Sequence, residues 1–288
     1  MPAISLVVCV HRQRDLLERL LRESQDCYDE LIVLHDIPDV QNVRSVVEAA
    51  GGRFFERPPA TQEPHWPFAW GQAKHNWILR FDTDEFPSAE MKVWLKKFRQ
   101  APEPPTRISG YTCIWPLWDG RKAVTKHWPA GRNFLFHKQR VRFFGMNEQT
   151  AVPDGQYEPL DFVLHHQPQR KGYGLRNVLR PQAKRGVKFI AQCLMGKPTD
   201  LNCWRWESES WPMQWEQIRQ QPLWTAFKRL TKGPLLGLLT QWRAEKKFFP
   251  MAAINGPLHD CLICLELRRL RRLHSCETVL KQTAGQPD

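Results

Sequence analysis

Trp77-Ile78-Leu79-Arg80-Phe81-Asp82-Thr83-Asp84-Glu85 decides the reading of this chain. Its first five residues make an apolar, β-rich run of the kind that fills the middle of a parallel sheet. The run then stops in three acids, Asp82, Asp84 and Glu85. In open α/β sheets ligands bind outside the carboxyl ends of the strands, which is where these acids fall. Two carboxylates one residue apart repel each other unless a cation lies beside them. Oxygen donors of this sort suit Mg²⁺ or Mn²⁺, and such ions usually share their coordination with substrate phosphates. A solvated Asp-rich turn is the competing reading. The flanks favour a site: a buried strand precedes the acids and a helix follows over Ser88 to Gln100. That helix has Ser88 and Glu90 near its start and Lys96, Lys97 and Arg99 near its end, as the helix dipole favours.

Upstream, Ile4-Ser5-Leu6-Val7-Val8-Cys9-Val10 reads as another buried strand, and Asp15 to Glu23 as a helix with Leu16, Leu17, Leu20 and Leu21 at helical spacing. Glu30-Leu31-Ile32-Val33-Leu34 reads as a second strand ending in His35-Asp36. Val43 to Ala50 is helix-like up to Gly51-Gly52, and Arg53-Phe54-Phe55-Glu56 is a third short strand. This alternation predicts an α/β sheet of nucleotide-binding type. Residues 57–67 are rich in Pro and break the pattern, with a short helix expected over Phe68 to His75. Beyond the acids, 108–118 and 132–144 are β-like and joined by the turn at Asp119-Gly120. After Val163-Leu164-His165-His166 the chain becomes basic, Trp-rich and mainly helix-like.

Composition agrees with two regions. The 288 residues are 42% apolar and 25% charged, enough for a packed core and incompatible with wholesale disorder. The net charge of +12 is unevenly spread: residues 1–167 hold 21 basic and 21 acidic side chains, residues 168–288 hold 21 and 9. A neutral domain over 1–167 and a basic region over 168–288 are expected, the second facing something anionic. Trp204, Trp206, Trp211, Trp215, Trp224 and Trp242, with Arg268, Arg269, Arg271 and Arg272, suit attachment to an anionic membrane surface; an ordinary helical core with a charged exterior is the alternative. No apolar run approaches the ~20 residues that span a bilayer. The N-terminus lacks a secretory pattern. The expectation is a cytoplasmic protein, with attachment to the inner face of the cytoplasmic membrane as an option. The eight cysteines form no dense framework, and the lone Cys261/Cys264 pair reads as core.

Ile4 to Val10, the helix after it, Glu30 to Asp39, and above all Trp77 to Glu85 resemble the GT-A (Rossmann-like) glycosyltransferases of the family 2 type, most of all bacterial glucosyltransferases acting on lipopolysaccharide core. The resemblance covers about residues 4–166. It implies a nucleotide-sugar-binding α/β domain with a mainly helical basic C-terminal extension. It implies that Asp82 and Asp84 hold Mg²⁺ or Mn²⁺ and that Asp36, or else Asp39, meets the nucleotide, with Asp82 also on the cofactor side. His35-Asp36-Ile37-Pro38-Asp39 is shorter than the family's usual loop and has no Gly or Ser, and His11-Arg12 stands where the family often has Tyr-Asn.

Two further segments complete the candidate site. Phe144-Gly145-Met146-Asn147-Glu148 resembles the family's acceptor-side segment, and a carboxylate at Glu148 suits a general base; Asp154 and Glu85 are its rivals. His165 and His166 follow a strand-like stretch, and imidazole is a fair ligand for Mn²⁺. Strand alternation lets one face the site while the other faces away. Arg170, Lys171, Arg176 and Arg180 stand downstream as diphosphate contacts.

The expected activity is therefore an inverting, metal-dependent glycosyl transfer from a nucleotide-sugar donor, a UDP-sugar foremost, to a cell-envelope glycan or glycolipid. Two other classes compete. A nucleotidyltransferase would carry a Gly-rich or basic fingerprint after the first strand, which is absent here. A non-catalytic basic protein binding membrane or nucleic acid would follow from charge alone, but no helix-turn-helix, zinc knuckle or RNA-binding aromatic signature supports nucleic acid.

Overall fold

All seven residues of β1 (Ile4–Val10) are buried, so this strand has protein on both faces. Its side chains alternate between two cores. Leu6, Val8 and Val10 join one with Leu17, Leu20 and Leu95, whereas Val7 and Cys9 join the other with Trp66, Trp70 and Phe136. The computed structural model describes residues 1–283 except 12, 36–37, 59–61, 147–148, 172, 197–200 and 208–209. It divides into two units: Met1–Gly172 with Asn202–Trp206, and Tyr173–Leu201 with Glu207–Asp288.

The first unit is the predicted α/β layer structure. β2 (Glu30–His35) and β3 (Arg53–Glu56) lie parallel to β1 on one side, and β4 (Trp77–Arg80) lies parallel on the other. Two helices, α1 (Arg14–Glu23) and α2 (Val43–Ala49), connect the first three strands. Beyond β4 the sheet turns mixed. β7 (Ala130–His137) runs antiparallel to both β4 and β6 (Ile108–Ile114), and β10 (Gln156–His166) returns parallel to β6. The three-residue β5 (Glu85–Pro87) pairs antiparallel with the end of β10, giving the order β3-β2-β1-β4-β7-β6-β10-β5. Strand order reverses at β1, between β2 and β4, which makes the carboxyl ends of β1 and β4 the switch point where such sheets bind ligands. A small ladder of β8 (Val141–Arg142) and β9 (Val152–Pro153) lies apart from the main sheet.

α4 (Ala89–Gln100) starts where the sequence places it, with the Ser88 hydroxyl accepting from the Met91 amide. α3 (Gln62–Gln72) differs from expectation. It runs through the Pro-rich stretch and contains Pro67. Trp66 and Trp70 are fully buried on it, and Trp70 meets Phe136 and Phe143 edge to face, so tertiary burial outweighs the proline penalty. The segment 202–206 returns to this unit: Phe143 and Trp204 exchange backbone hydrogen bonds of 2.9 and 2.8 Å.

The second unit is helical, as its sequence predicts. It comprises α5 (Leu175–Leu179), α6 (Pro181–Cys193), α7 (Met213–Gln220), α8 (Pro222–Glu245) and α9 (Pro250–Thr283). α8 and α9 form an antiparallel pair at close range: a Cβ on Gly233 would stand 2.6 Å from Pro257, and one on Gly237 would stand 3.0 Å from Ala253. Cys261 and Cys264 are buried in α9 as free thiols. Among the described residues no helix is long and apolar enough to cross a membrane.

Candidate functional site

The end of β4 delivers the chain directly into a turn at Asp82-Thr83-Asp84, closed by the Glu85 amide donating to the Asp82 carbonyl at 3.0 Å. The turn is stitched down on both sides. Its far end enters the β5–β10 ladder, where His166 opposes Glu85 and the Gln167 amide donates to the Asp84 carbonyl at 2.8 Å. The Thr83 hydroxyl donates to the side-chain carbonyl of Gln13, which begins α1. The acids are thus fixed at the switch point by neighbours from two distant parts of the chain.

Asp82 and Glu85 share one cation. Arg132 of β7 donates through Nη2 to Asp82 Oδ2 at 2.9 Å, and through Nε and Nη2 to the two Glu85 oxygens at 2.9 and 3.0 Å. The Asp82 amide donates to Glu85 Oε2 at 2.8 Å. Glu85 is wholly buried. Burial would raise the Asp82 pKa, but Arg132, then Arg80 and His166, hold its carboxyl below the ordinary range. For Glu85 burial wins over Arg132 and its pKa rises. Burial would weaken the Arg132 charge, yet Glu85 and Asp82 hold the guanidinium more firmly protonated than usual. Glu85 is therefore a structural partner of Arg132, with both its oxygens engaged.

Two features of this cluster remain open to a ligand. Asp82 Oδ1 is buried and accepts no hydrogen bond among the described residues. Asp84, partly exposed, lies with Oδ2 3.5 Å from His166 Nε2. The His166 ring stacks on Trp115 at 4.0 Å between centroids, and the Arg132 guanidinium lies 5.4 Å from the centre of the same indole. Among the described residues no group of three or more His, Cys, Asp or Glu side chains is placed to hold a metal ion. The donors that are present, two carboxylates and an imidazole, have the right chemistry for Mg²⁺ or Mn²⁺, provided that phosphate oxygens complete the shell.

The other candidate residues fall as follows. His165 points to the opposite side of β10 from His166 and sits among Glu23, Glu90, Arg19 and Lys92; burial lowers its pKa. The structure therefore brings Asp84 and His166 together and separates His165 from them. Asp39 accepts from the amides of Val43 and Arg44 at 2.6 and 2.8 Å, at the start of α2. Burial would raise its pKa, and those amides hold it below the ordinary range. Asp154 is paired with both Arg142 and Arg205 at 3.0 Å. Asp36 and Glu148 lie outside the described residues. Near Glu148, Gly145 has φ +83°, and a Cβ there would stand 2.3 Å from the Asn202 carbonyl oxygen, so only glycine fits.

Arg132 and Trp115 are the site residues that sequence reasoning passed over. A signal existed for the first. Arg132 stands in the strand Ala-Gly-Arg-Asn-Phe-Leu-Phe-His, and a charge inside a sheet requires a buried partner.

No protein-family model matches the chain, and no curated protein matches it. Solved structures similar to it include residues 1–349 of TarS from S. aureus, at 12% identity over 83% of this chain and 76% of that one, with a TM-score of 0.42. The same TarS fragment in complex with UDP-GlcNAc aligns at 12% identity over 83% and 77%, also at 0.42. The 4-diphosphocytidyl-2C-methyl-D-erythritol synthase from Anaerococcus prevotii DSM 20548 aligns at 12% identity over 56% and 87%, at 0.38. Likenesses at this level carry no argument, and the α/β assignment rests on the chain's own strand order and register.

Proposed function

We propose that this chain transfers a sugar from a nucleotide-sugar donor, a UDP-sugar foremost, to a cell-envelope glycan or glycolipid, with inversion at the anomeric carbon. The observation that carries the reading is the acidic turn at the switch point. There Asp84 faces His166, and Asp82 keeps one buried oxygen without a donor among the described residues. A nucleoside diphosphate at this point would lie over the carboxyl ends of β1 and β4.

Asp84, Asp82 Oδ1 and His166 are the residues that would hold Mg²⁺ or Mn²⁺. When bound, the ion supplies Lewis-acid stabilisation of the diphosphate as it leaves. Arg132 and Glu85 fix the turn so that its donors need no reorganisation. In the transfer step the acceptor oxygen bonds to the anomeric carbon as the carbon–oxygen bond to the diphosphate breaks, and the leaving group takes that electron pair. The acceptor proton passes to a carboxylate, assigned to Glu148 on its sequence context. Asp154 and Glu85 are poorer bases because arginines already occupy their oxygens. The stacked Trp115–His166 pair gives the site an aromatic wall beside the acids, a surface that suits a sugar ring or a base.

The test is release of nucleoside diphosphate from a panel of UDP-, GDP- and ADP-sugars, with and without Mn²⁺, in the presence of cell-envelope glycan. Metal-dependent release from one donor, lost in Asp84→Asn, is expected. Release that ignores both the metal and Asp84 would remove the assignment.

A further inference from the structure

Within the helical unit, α8 carries a face that is left exposed among the described residues. Thr225, Ala226 and Gln241 are buried, and Gly233 and Gly237 press on α9. At 100° per residue, Trp224, Leu235, Leu239 and Trp242 fall on the opposite side of the helix. They are exposed, Trp224 to 51%, Leu235 to 59% and Trp242 to 47%. Phe227 stacks on Trp224 and Phe248 on Trp242, so a flat aromatic pair stands near each end of the 24-residue helix. One or two exposed apolar side chains are ordinary on a protein surface, but two Trp and two Leu on one face over about 27 Å of helix, with Lys228 and Lys232 among them, are not.

The charges around the stripe point to what covers it. Lys228, Lys232, Arg243, Lys246 and Lys247 are exposed on α8 and the residues just after it, against the single acid Glu245. Lys228 Nζ lies 5.0 Å from the centre of the Trp224 ring. Arg229, by contrast, is paired with Asp260 at 3.3 Å. A two-fold pairing of this face with a second copy would bring like charges together, which opposes association. An anionic lipid surface complements both components: headgroups meet the cations, and the aromatic and Leu side chains enter the interface. No described helix is long and apolar enough to span, which fits a helix lying in the interface plane.

We propose that the exposed face of α8 is a docking surface for an anionic membrane. This moves the contact away from the arginine run 268–272. There Arg269 is held by Glu266 at 2.7 Å, and Arg271 donates to the Arg219 carbonyl at 2.5 Å. The proposal is independent of the nucleotide-sugar reading, since lipid binding is measured with neither donor nor metal.

The experiment is co-sedimentation of the full chain with vesicles of phosphatidylcholine alone or with one third phosphatidylglycerol, at low and high salt. Wild type should bind the acidic vesicles and lose most binding in high salt. Each lysine near an anionic surface contributes roughly fivefold. Changing Lys228, Lys232, Lys246 and Lys247 to Gln should therefore weaken partitioning by on the order of 10²-fold or more. Trp224→Ser, Leu235→Ser and Trp242→Ser together should cost at least about tenfold with helical circular dichroism retained. Arg268→Gln with Arg272→Gln should change binding by less than about twofold. A readout on the unaltered protein is quenching of tryptophan fluorescence by brominated acyl chains, expected with acidic vesicles only. Equal binding to both lipid types, no effect of the lysine changes, or a dimer in sedimentation velocity that the apolar triple variant dissociates while no vesicle binding occurs, would each overturn the proposal.

Discussion

Replacing Arg132 with Met removes the one guanidinium shared by Asp82 and Glu85. Arg132 is 14% exposed and Glu85 is not exposed at all, so no water replaces the lost donors at Glu85. Methionine fills much of the volume but leaves a buried carboxylate unpaired. Breaking a buried ion pair by deleting one partner costs about 3–5 kcal/mol. The pH dependence gives the cause. The Asp82 carboxyl is held low in the wild type, so its contribution is present above its unfolded value of about 4 and fades as pH falls through the lower folded value. Glu85 is raised by burial even with Arg132 present; without it, the folded state favours protonated Glu85 more strongly. A raised acid contributes stability below its unfolded value that is lost as pH rises through the folded one. Arg132→Met should therefore be more destabilised at about pH 7.5 than at about pH 5, and Glu85→Gln added to it should recover about 1–3 kcal/mol. Urea denaturation followed by tryptophan fluorescence measures this. A loss below about 1 kcal/mol at neutral pH, or one that is the same at both pH values, would refute the buried-charge reasoning.

Glu148→Gln should keep donor binding and lower turnover by about 10²–10⁴-fold; unchanged turnover in single-donor kinetics would exclude it as the base. His166→Ala should weaken Mn²⁺ affinity measured by electron paramagnetic resonance, whereas His165→Ala should leave it unchanged, because His165 faces Glu23 and Glu90 instead. Asp39→Ala should cost about 0.5–2 kcal/mol of stability through the amides it leaves at the start of α2, seen as a lower urea midpoint. Burial depresses the His137 pKa to about 4, so the folded state resists its charging. Stability should fall as pH drops from about 6.5 towards 4, and His137→Gln should flatten that slope in urea titrations.

The parts of the fold legible in the sequence are those written locally. β1, β2 and β4 are short apolar runs with clear ends, and the acidic turn begins one residue beyond β4. The opposition of His165 and His166 follows from strand alternation alone. What escaped is set by pairing between distant residues. Arg132 meets Glu85 only because β7 inserts between β4 and β6, and a single sequence does not state that register. The first half of α3 escaped because its helix is held by the burial of Trp66 and Trp70 against the prolines' local preference. The uneven charge told that the second region is basic; only the packing of α8 on α9 tells which side of α8 faces out.

The central claim is a nucleoside diphosphate held at the Asp82–Asp84 turn through a divalent cation. It is tested most directly by calorimetric titration of UDP, with and without Mn²⁺, into the wild type and Asp84→Asn. Wild type should bind UDP at least about tenfold more tightly with Mn²⁺, and Asp84→Asn should lose that gain while keeping its metal-free affinity. Binding that is equally strong with and without Mn²⁺, or an Mn²⁺ gain that survives Asp84→Asn, would contradict the claim.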